Sequence, residues 1–171
     1  EYGDADFIGR AGDRKQITGF LQAQGYEADR MFNALHGATR LNFHDPVHDR
    51  PLDVLLDRFT MAHELDLRDS VSADGLTIAL ADLLMTKLQV VNANEKDVRD
   101  LLALLLDHDV ALTEISVERI LRATKNDWGL EHTIHRSLFR LQEMLGRFGL
   151  AADQQESVLA RISQLGDALR A

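Results

Sequence analysis

The chain has 171 residues, 45% of them hydrophobic and 27% charged, which is the composition of a globular protein with ample material for a core. Its formal net charge of -9 argues against a general nucleic-acid-binding surface, although a local basic patch could still hold a phosphate or an RNA end. Cysteine is absent, which excludes disulfides and zinc–thiolate sites, and without a bilayer-length apolar run or a signal-peptide pattern we expect a cytoplasmic protein.

The first chemical signal is an alternation of acidic and apolar residues at the start of the chain. Asp4 and Asp6 alternate with Ala5 and Phe7, and this period of two is typical of a strand. Both carboxylates would then leave one face, where like charges repel each other unless a cation lies between them. Asp4 and Asp6 are therefore candidate ligands of a divalent metal. The alternative is that they are ordinary acidic residues at the point where a loop enters a strand.

Short elements are expected in the rest of the first half. The pattern predicts a helix over residues 13–25 and then a short helix or an irregular segment at residues 30–36. Alternation predicts strands at residues 40–44 and 51–57, with Asp53 on the face opposite the apolar side chains. A strand, a helix and an antiparallel hairpin predict a small α+β core.

From Thr77 onward the hydrophobic period changes to 3.6, which predicts a helical second half. Asn94 and Ser116 have the side chains of helix N-caps, and Gly149 indicates a break between the last two helices. The helices are expected at about residues 80–91, 95–108, 116–124, 128–147 and 153–169. The sequence thus predicts an α+β region at residues 1–76, followed by a helical region at residues 77–171.

Two charged residues of the helical half fall outside the polar faces of their helices. Lys87 lies within an apolar arc, whereas Asp82, Thr86 and Gln89 form the polar face of the same helix. Asp97 lies on the flank of the next helix, where a carboxylate needs a donor or a cation. The structural alternatives are a snorkelling lysine, a first-turn aspartate that stabilises the helix dipole, or an ion pair between Lys87 and Asp97.

A group of histidines and aspartates surrounds a proline turn. His44, Asp45, His48 and Asp49 form possible metal-binding pairs, with His36 nearby in the sequence. Aspartate and histidine are common in such turns, so the structural interpretation is favoured.

Two aromatic residues of the fourth predicted helix are expected to lie in the core. Trp128 and Phe139 occupy helical positions, and basic residues do not alternate with aromatic ones as they do in a single-strand binder. A base-stacking role is therefore the less favoured interpretation.

The acidic strand at the start of the chain and several later segments resemble a known family. The Asp4-to-Asp6 motif, the helix after it and a later strand that carries Asp53 resemble the polymerase-beta-type nucleotidyltransferase fold. Residues 80–88 are similar to the helix that follows this core in bacterial members, including those of the AbiEii type, and residues 95–101 resemble the family's basic-plus-aspartate helix. The resemblance covers roughly the first 108 residues, and the remaining helices resemble a variable tail.

The resemblance implies a metal-dependent transfer of a nucleoside monophosphate from an NTP to a hydroxyl acceptor, which is a small molecule, an RNA end or a protein. Mg²⁺ or Mn²⁺ is the implied cofactor, the NTP is the co-substrate, and no membrane is involved. The implied site residues are Asp4, Asp6 and Asp53 for catalysis and the metal, and Lys87 and Asp97 for the nucleotide. Asp53 would also accept the proton of the incoming hydroxyl, and Asp100 is the competing match to Asp97.

The family also has a Gly-Gly or Gly-Ser turn before the two aspartates, where backbone amides hold the triphosphate. This chain begins too late to contain that turn. We therefore expect either that the sequence is part of a longer protein or that the protein has lost nucleotidyl transfer. The alternative function is a non-catalytic interaction or regulatory module on the same fold. A metal-dependent phosphohydrolase that uses the region of His44 and His48 ranks third.

Overall fold

Strands dominate the first part of the chain and helices the second, as the sequence predicts. The structure, a computed structural model, describes residues 3–71, 75 and 77–170. Its strands are β1 (Ala5–Gly9), β2 (Glu27–Ala28), β3 (Arg40–Asp45), β4 (Arg50–Leu56), β5 (Arg58–Thr60) and β6 (Glu64–Asp66). Its α-helices are α1 (Arg14–Ala23), α2 (Arg30–His36), α3 (Leu80–Leu88), α4 (Glu95–Asp107), α5 (Val117–Thr124), α6 (Trp128–Met144) and α7 (Ala152–Arg170).

The chain divides into two units. The first consists of Glu1–Phe59 and Asp66–Ile78, and the second of Thr60–Leu65 and Ala79–Ala171. The sequence places its boundary between residues 76 and 77 and does not assign the short segment at residues 60–65 to the helical region. This segment belongs to the β5–β6 hairpin, which sequence patterning misses because its strands have three residues each.

The sheet of the first unit is mixed and has the strand order β1-β4-β3-β2. β1 and β4 run parallel, whereas β3 is antiparallel to both β4 and β2. This confirms the expected α+β class and a sheet of at least three strands. Two-residue β2 extends the sheet beyond the strands that the sequence predicts.

Strand alternation divides this sheet into an apolar and a polar face. The apolar face is buried and consists of Leu41, Phe43, Leu52, Val54 and Leu56. Ile17 and Leu21 of α1 pack against it, which explains their helical spacing. The residues between these positions therefore emerge on the opposite face, where polar side chains are tolerated.

The helices of the second unit begin and end close to their expected positions. Asn94 and Ser116 cap α4 and α5, since each side chain accepts a hydrogen bond from a backbone amide of the first turn. Gly149 has φ +65, a left-handed conformation that suits glycine in the break before α7. In the part of the chain that the structure describes, no helix combines the length and the hydropathy needed to span a bilayer.

The polar face expected for α3 is buried. Asp82 and Gln89 are each 0% exposed, although their spacing suggests a solvated side. Arg119 of α5 reaches Asp82 through a 2.9 Å Nε–Oδ1 hydrogen bond, and the backbone amide of His63 donates to Gln89 Oε1 at 2.9 Å. The helix wheel identifies a polar face but not the partners that allow it to enter the interior.

Candidate polar site on the sheet

A row of polar side chains crosses three strands on the face opposite the core. Asp6 on β1 lies directly beside Asp53 on β4, and Asp53 lies opposite Asn42 on β3. Register partners project from the same face of a sheet, so Asp6 and Asp53 share a surface. Asp4 lies before the first residue of β1, and the alternation of that strand therefore does not fix its direction.

Asp53 is held by two side chains of the neighbouring strand. Arg40 donates to both of its carboxylate oxygens, from Nε to Oδ1 at 2.9 Å and from NH2 to Oδ2 at 2.5 Å. Asn42 Nδ2 donates to Oδ1 at 3.0 Å. Burial by itself would raise the pKa of Asp53, but the hydrogen bonds from Arg40 and Asn42 and the charge of Arg40 together hold that pKa below its usual value.

The guanidinium of Arg40 interacts with two of the three predicted carboxylates, Asp53 and Asp6. The pKa of Arg40 is raised chiefly by its hydrogen bond to Asp53, and to a smaller extent by the charges of Asp53 and Asp6. Phe32 of α2 lies beneath it, with Cζ 5.8 Å from the ring centroid. Arg40 therefore supplies positive charge in the region where the sequence predicts a metal.

Arg40 and Asn42 are the site residues that sequence reasoning misses. Both alternate with buried Leu41 and Phe43, so the predicted strand places them on the outer face. What the sequence does not supply is the β3–β4 register, which brings Asn42 opposite Asp53 and Arg40 within reach of it.

The donor chemistry of this row fits a hard divalent cation in part. Asp6 and Asp53 supply carboxylate oxygens, which are the ligands that Mg²⁺ prefers. Because Arg40 bonds to both oxygens of Asp53, a cation there would have to replace those hydrogen bonds. Among the residues that the structure describes, no group of three or more histidine, cysteine, aspartate or glutamate side chains is placed to hold a metal ion.

The two predicted nucleotide-binding residues belong to the helical unit, and they do not pair with each other. Lys87 Nζ lies 2.6 Å from Oδ2 of Asp100, the residue that competes with Asp97 as the helix aspartate. Asp97 instead completes a capping box with Asn94. Its Oδ2 accepts from the Asn94 amide at 2.9 Å, and Asn94 Oδ1 accepts from the Asp97 amide at 3.1 Å.

The histidines at the β3–β4 turn form two separate pairs. His48 Nδ1 lies 2.7 Å from Asp45 Oδ2, and His44 Nε2 lies 3.3 Å from Asp49 Oδ1. The hydrogen bond from His48 is the largest cause of the lowered pKa of Asp45, whose other oxygen accepts the amides of residues 47 and 48. Asp45 thus organises the turn, in agreement with the structural interpretation of this cluster.

The expectation that Trp128 and Phe139 lie in the core is wrong. Trp128 is 76% exposed and Phe139 is 63% exposed. The buried side of α6 consists of Leu130, Ile134, Leu138 and Leu141. Helical spacing alone does not reveal which of two apolar stripes faces the interior.

Comparison with known proteins adds no relative, since no family model, curated protein or solved structure matches the chain. The nucleotidyltransferase resemblance therefore rests on the residues themselves.

Proposed function

We propose that the chain is a nucleotidyltransferase-like protein, which transfers a nucleoside monophosphate from an NTP to a hydroxyl acceptor with Mg²⁺ or Mn²⁺. The observation that supports the proposal best is the placement of Asp6 beside Asp53 on the two parallel strands of a mixed sheet. Two carboxylates at this spacing repel each other unless positive charge lies between them. A sheet of the nucleotidyltransferase type is part of the same proposal.

In this proposal Asp4 and Asp6 are the metal-binding pair that the resemblance implies, and Asp53, beside Asp6 in the sheet, is the third carboxylate. When bound, the cation neutralises the triphosphate and aligns its leaving group. The lowered pKa of Asp53 keeps its carboxylate ionised at neutral pH, which suits a ligand. A general base works best with a pKa near the working pH, so the same shift argues against Asp53 as the proton acceptor.

In this proposal Arg40 of the first unit binds phosphate, and Lys87 of the helical unit has the phosphate-binding role that the resemblance implies. Arg40, once released from Asp53, presents a planar fork that matches two phosphate oxygens. Lys87 pairs with Asp100, and its side chain is about one-third exposed, so a phosphate could replace the carboxylate. Asp97 accepts the backbone amide of Asn94, which favours Asp100 over Asp97 as the helix aspartate of the proposal.

Binding and transfer are tested separately. We expect isothermal titration with magnesium and an NTP to give saturable binding, which Asp6→Asn weakens by at least about tenfold because a metal ligand is lost. Asp13→Asn is the matched control, since it removes an exposed carboxylate of the same unit outside the sheet. Transfer of label from an α-labelled NTP to an added RNA, protein or small molecule then identifies the acceptor class. Absence of both binding and transfer would refute the catalytic proposal.

A non-catalytic module on the same fold is the second candidate. The supporting observation is that Arg40 already neutralises Asp53, so the polar row needs no metal to be electrostatically satisfied. In that case magnesium and NTP would leave the melting temperature unchanged, and Arg40→Met would destabilise the sheet without affecting any nucleotide response. The phosphohydrolase gains no support, because His44 and His48 form separate pairs with the carboxylates of their own turn.

A further inference from the structure

The outward side of α6 carries a row of rings. Trp128, His132, His135 and Phe139 follow one another at positions i, i+4, i+7 and i+11, a spacing that keeps them on one side of the helix. We call these four residues the α6 aromatic row. The rings of Trp128 and His132 are stacked, with centroids 5.2 Å apart and an interplanar angle of 14°. At ~1.5 Å rise per residue the row is about 16 Å long.

This row does not serve the core of the helical unit. Leu130, Ile134, Leu138 and Leu141 occupy the opposite side of α6 and are buried. Trp128, His132 and Phe139 are exposed, and His135 is half-buried. A large exposed ring forfeits the free energy that its burial would contribute, so several such rings along one side mark a surface with a binding role.

Unpaired cations lie beside the row. Arg136 and Arg140 are exposed, and in the part of the chain that the structure describes neither has an ion-pair or hydrogen-bond partner. Both line a groove of about 610 Å³. Arg170 and Lys87 also line it, but Asp167 and Asp100 neutralise them, and Glu143 is the one acid among the lining residues. In a chain of net charge -9, this local excess of positive charge favours an anionic partner.

The groove also has apolar lining residues. Val90, Val91 and Ala93, where the chain passes from α3 to α4, line the same groove as His132 and Phe139. A partner that fits must therefore present flat apolar groups to the rings and the valines, and negative charge to Arg136 and Arg140.

We propose that the α6 aromatic row and its two arginines bind single-stranded nucleic acid. Bases stack on aromatic and imidazole rings, and phosphates pair with arginine guanidinium groups. The length of the row corresponds to about five stacked nucleotides at ~3.4 Å each. An acidic peptide would use Arg136 and Arg140 but has no need of a row of rings, and a duplex keeps its bases stacked away from the protein. This surface lies entirely within the helical unit, and the inference does not depend on the proposed nucleotidyl transfer.

The only tryptophan of the chain lies in the row and reports binding directly. We expect a short oligouridylate or oligothymidylate to quench Trp128 fluorescence in a saturable manner, and a labelled oligonucleotide to give the same affinity by anisotropy. Phe139→Ala should weaken binding at least about fivefold, since each base–aromatic stack contributes about 1–3 kcal/mol. Arg136→Gln and Arg140→Gln should each reduce the slope of log affinity against log salt by about 0.7.

Two matched variants serve as controls. Phe20→Ala removes an equally exposed aromatic ring from α1, and Arg122→Gln removes an exposed arginine from α5. Both should bind as the unaltered chain does. Equal weakening by the controls, equal affinity for a duplex, or quenching by polyglutamate without quenching by an oligonucleotide would overturn the proposal, and the last outcome would indicate an acidic protein partner. No binding of either oligonucleotide at low salt would also overturn it.

Discussion

Two aspartate–arginine pairs, one chosen from each unit, differ in their access to solvent. Asp53 and Arg40 on the sheet have side chains that are 12% and 47% exposed, whereas Asp82 and Arg119 in the helical unit are 1% and 17% exposed. The geometry of the central contact is the same, with Nε 2.9 Å from Oδ1 in both pairs.

The comparison separates a structural pair from an exchangeable one. A buried carboxylate without its arginine retains a charge that water cannot reach, so Asp82 depends on Arg119. The guanidinium of Arg40 is half in solvent and can leave Asp53 at a smaller cost, because water and a bound cation can replace its hydrogen bonds. The pair on the sheet is therefore the one suited to a binding site, although both have the same chemistry.

Removal of Arg119 should have the largest effect on stability. We expect Arg119→Met to lower the free energy of unfolding by about 3–5 kcal/mol, since the buried Asp82 would lose the opposite charge and the hydrogen bond of Arg119. Urea denaturation followed by Trp128 fluorescence measures this in the helical unit. The double variant Asp82→Leu/Arg119→Met removes both charges and should recover most of the loss. A loss below about 1 kcal/mol in the single variant would contradict the structural role of the pair.

Removal of Arg40 should cost less, about 1–2 kcal/mol, because Asn42 still donates to Asp53 and the site is partly open to water. The effect should also depend on pH. The pKa of Asp53 is lower in the folded protein than its unfolded value of about 3.9. Asp53 therefore stabilises the fold fully above pH ~3.9, and this stabilisation is lost as the pH falls through the pKa of the folded state.

The difference between the unaltered chain and Arg40→Met should therefore be largest near neutral pH and shrink below about pH 4. Amide hydrogen exchange of β3 and β4 measures this difference within the sheet. Arg50→Met is the control, since Arg50 is an exposed arginine at the start of β4, and the groups that lower the pKa of Asp53 are Arg40 and Asn42. A difference that stays constant across this pH range would show that Arg40 acts through packing alone.

The sequence predicts the parts of the fold that depend on local patterns, and it misses those that depend on distant partners. Strand alternation around Leu41, Phe43 and Leu52 and helical periodicity after Thr77 are local properties, and the corresponding elements are confirmed. Two-residue β2 and the three-residue strands of the β5–β6 hairpin are too short to carry a period. The buried positions of Asp82 and Gln89 depend on partners distant in sequence, Arg119 and His63, which no local pattern contains.

The candidate site is predictable to a similar extent. The alternation of β1 and β4 identifies Asp6 and Asp53 as outward residues, and the structure brings them side by side. Arg40 was not predicted because its role requires the register between β3 and β4, which sequence alternation leaves open. The resemblance implies a helix aspartate at the nucleotide, and the flank position favours Asp97 over Asp100 for that role. The capping box explains the flank position of Asp97 without a ligand.

The carboxylate of Asp97 differs from those of Asp53 and Asp82, because it accepts a hydrogen bond from a backbone amide, that of Asn94. We expect Asn94→Ala and Asp97→Ala each to lower the free energy of unfolding by about 1 kcal/mol, because each removes half of the capping box of α4. Urea denaturation measures the stability, and titration with magnesium and an NTP measures the affinity. Nucleotide affinity should be the same in Asp97→Ala as in the unaltered chain. A loss of affinity without a loss of stability would restore Asp97 as a nucleotide ligand.

The smallest change in stability is expected at Lys87, whose pair with Asp100 is about one-third exposed on the lysine side. Lys87→Met preserves volume and helix propensity, so the free energy of unfolding should change by less than about 1 kcal/mol. If Lys87 contacts phosphate, a magnesium nucleotide should raise the melting temperature of the unaltered chain more than that of the variant, because only the former gains a charge-assisted contact. Lys125→Met is the matched control, since it removes an exposed lysine of the helical unit outside α3 and α4 and should leave the nucleotide response unchanged. Equal stabilisation of all three proteins would exclude Lys87 as a ligand, and stabilisation of none of them would favour the non-catalytic module.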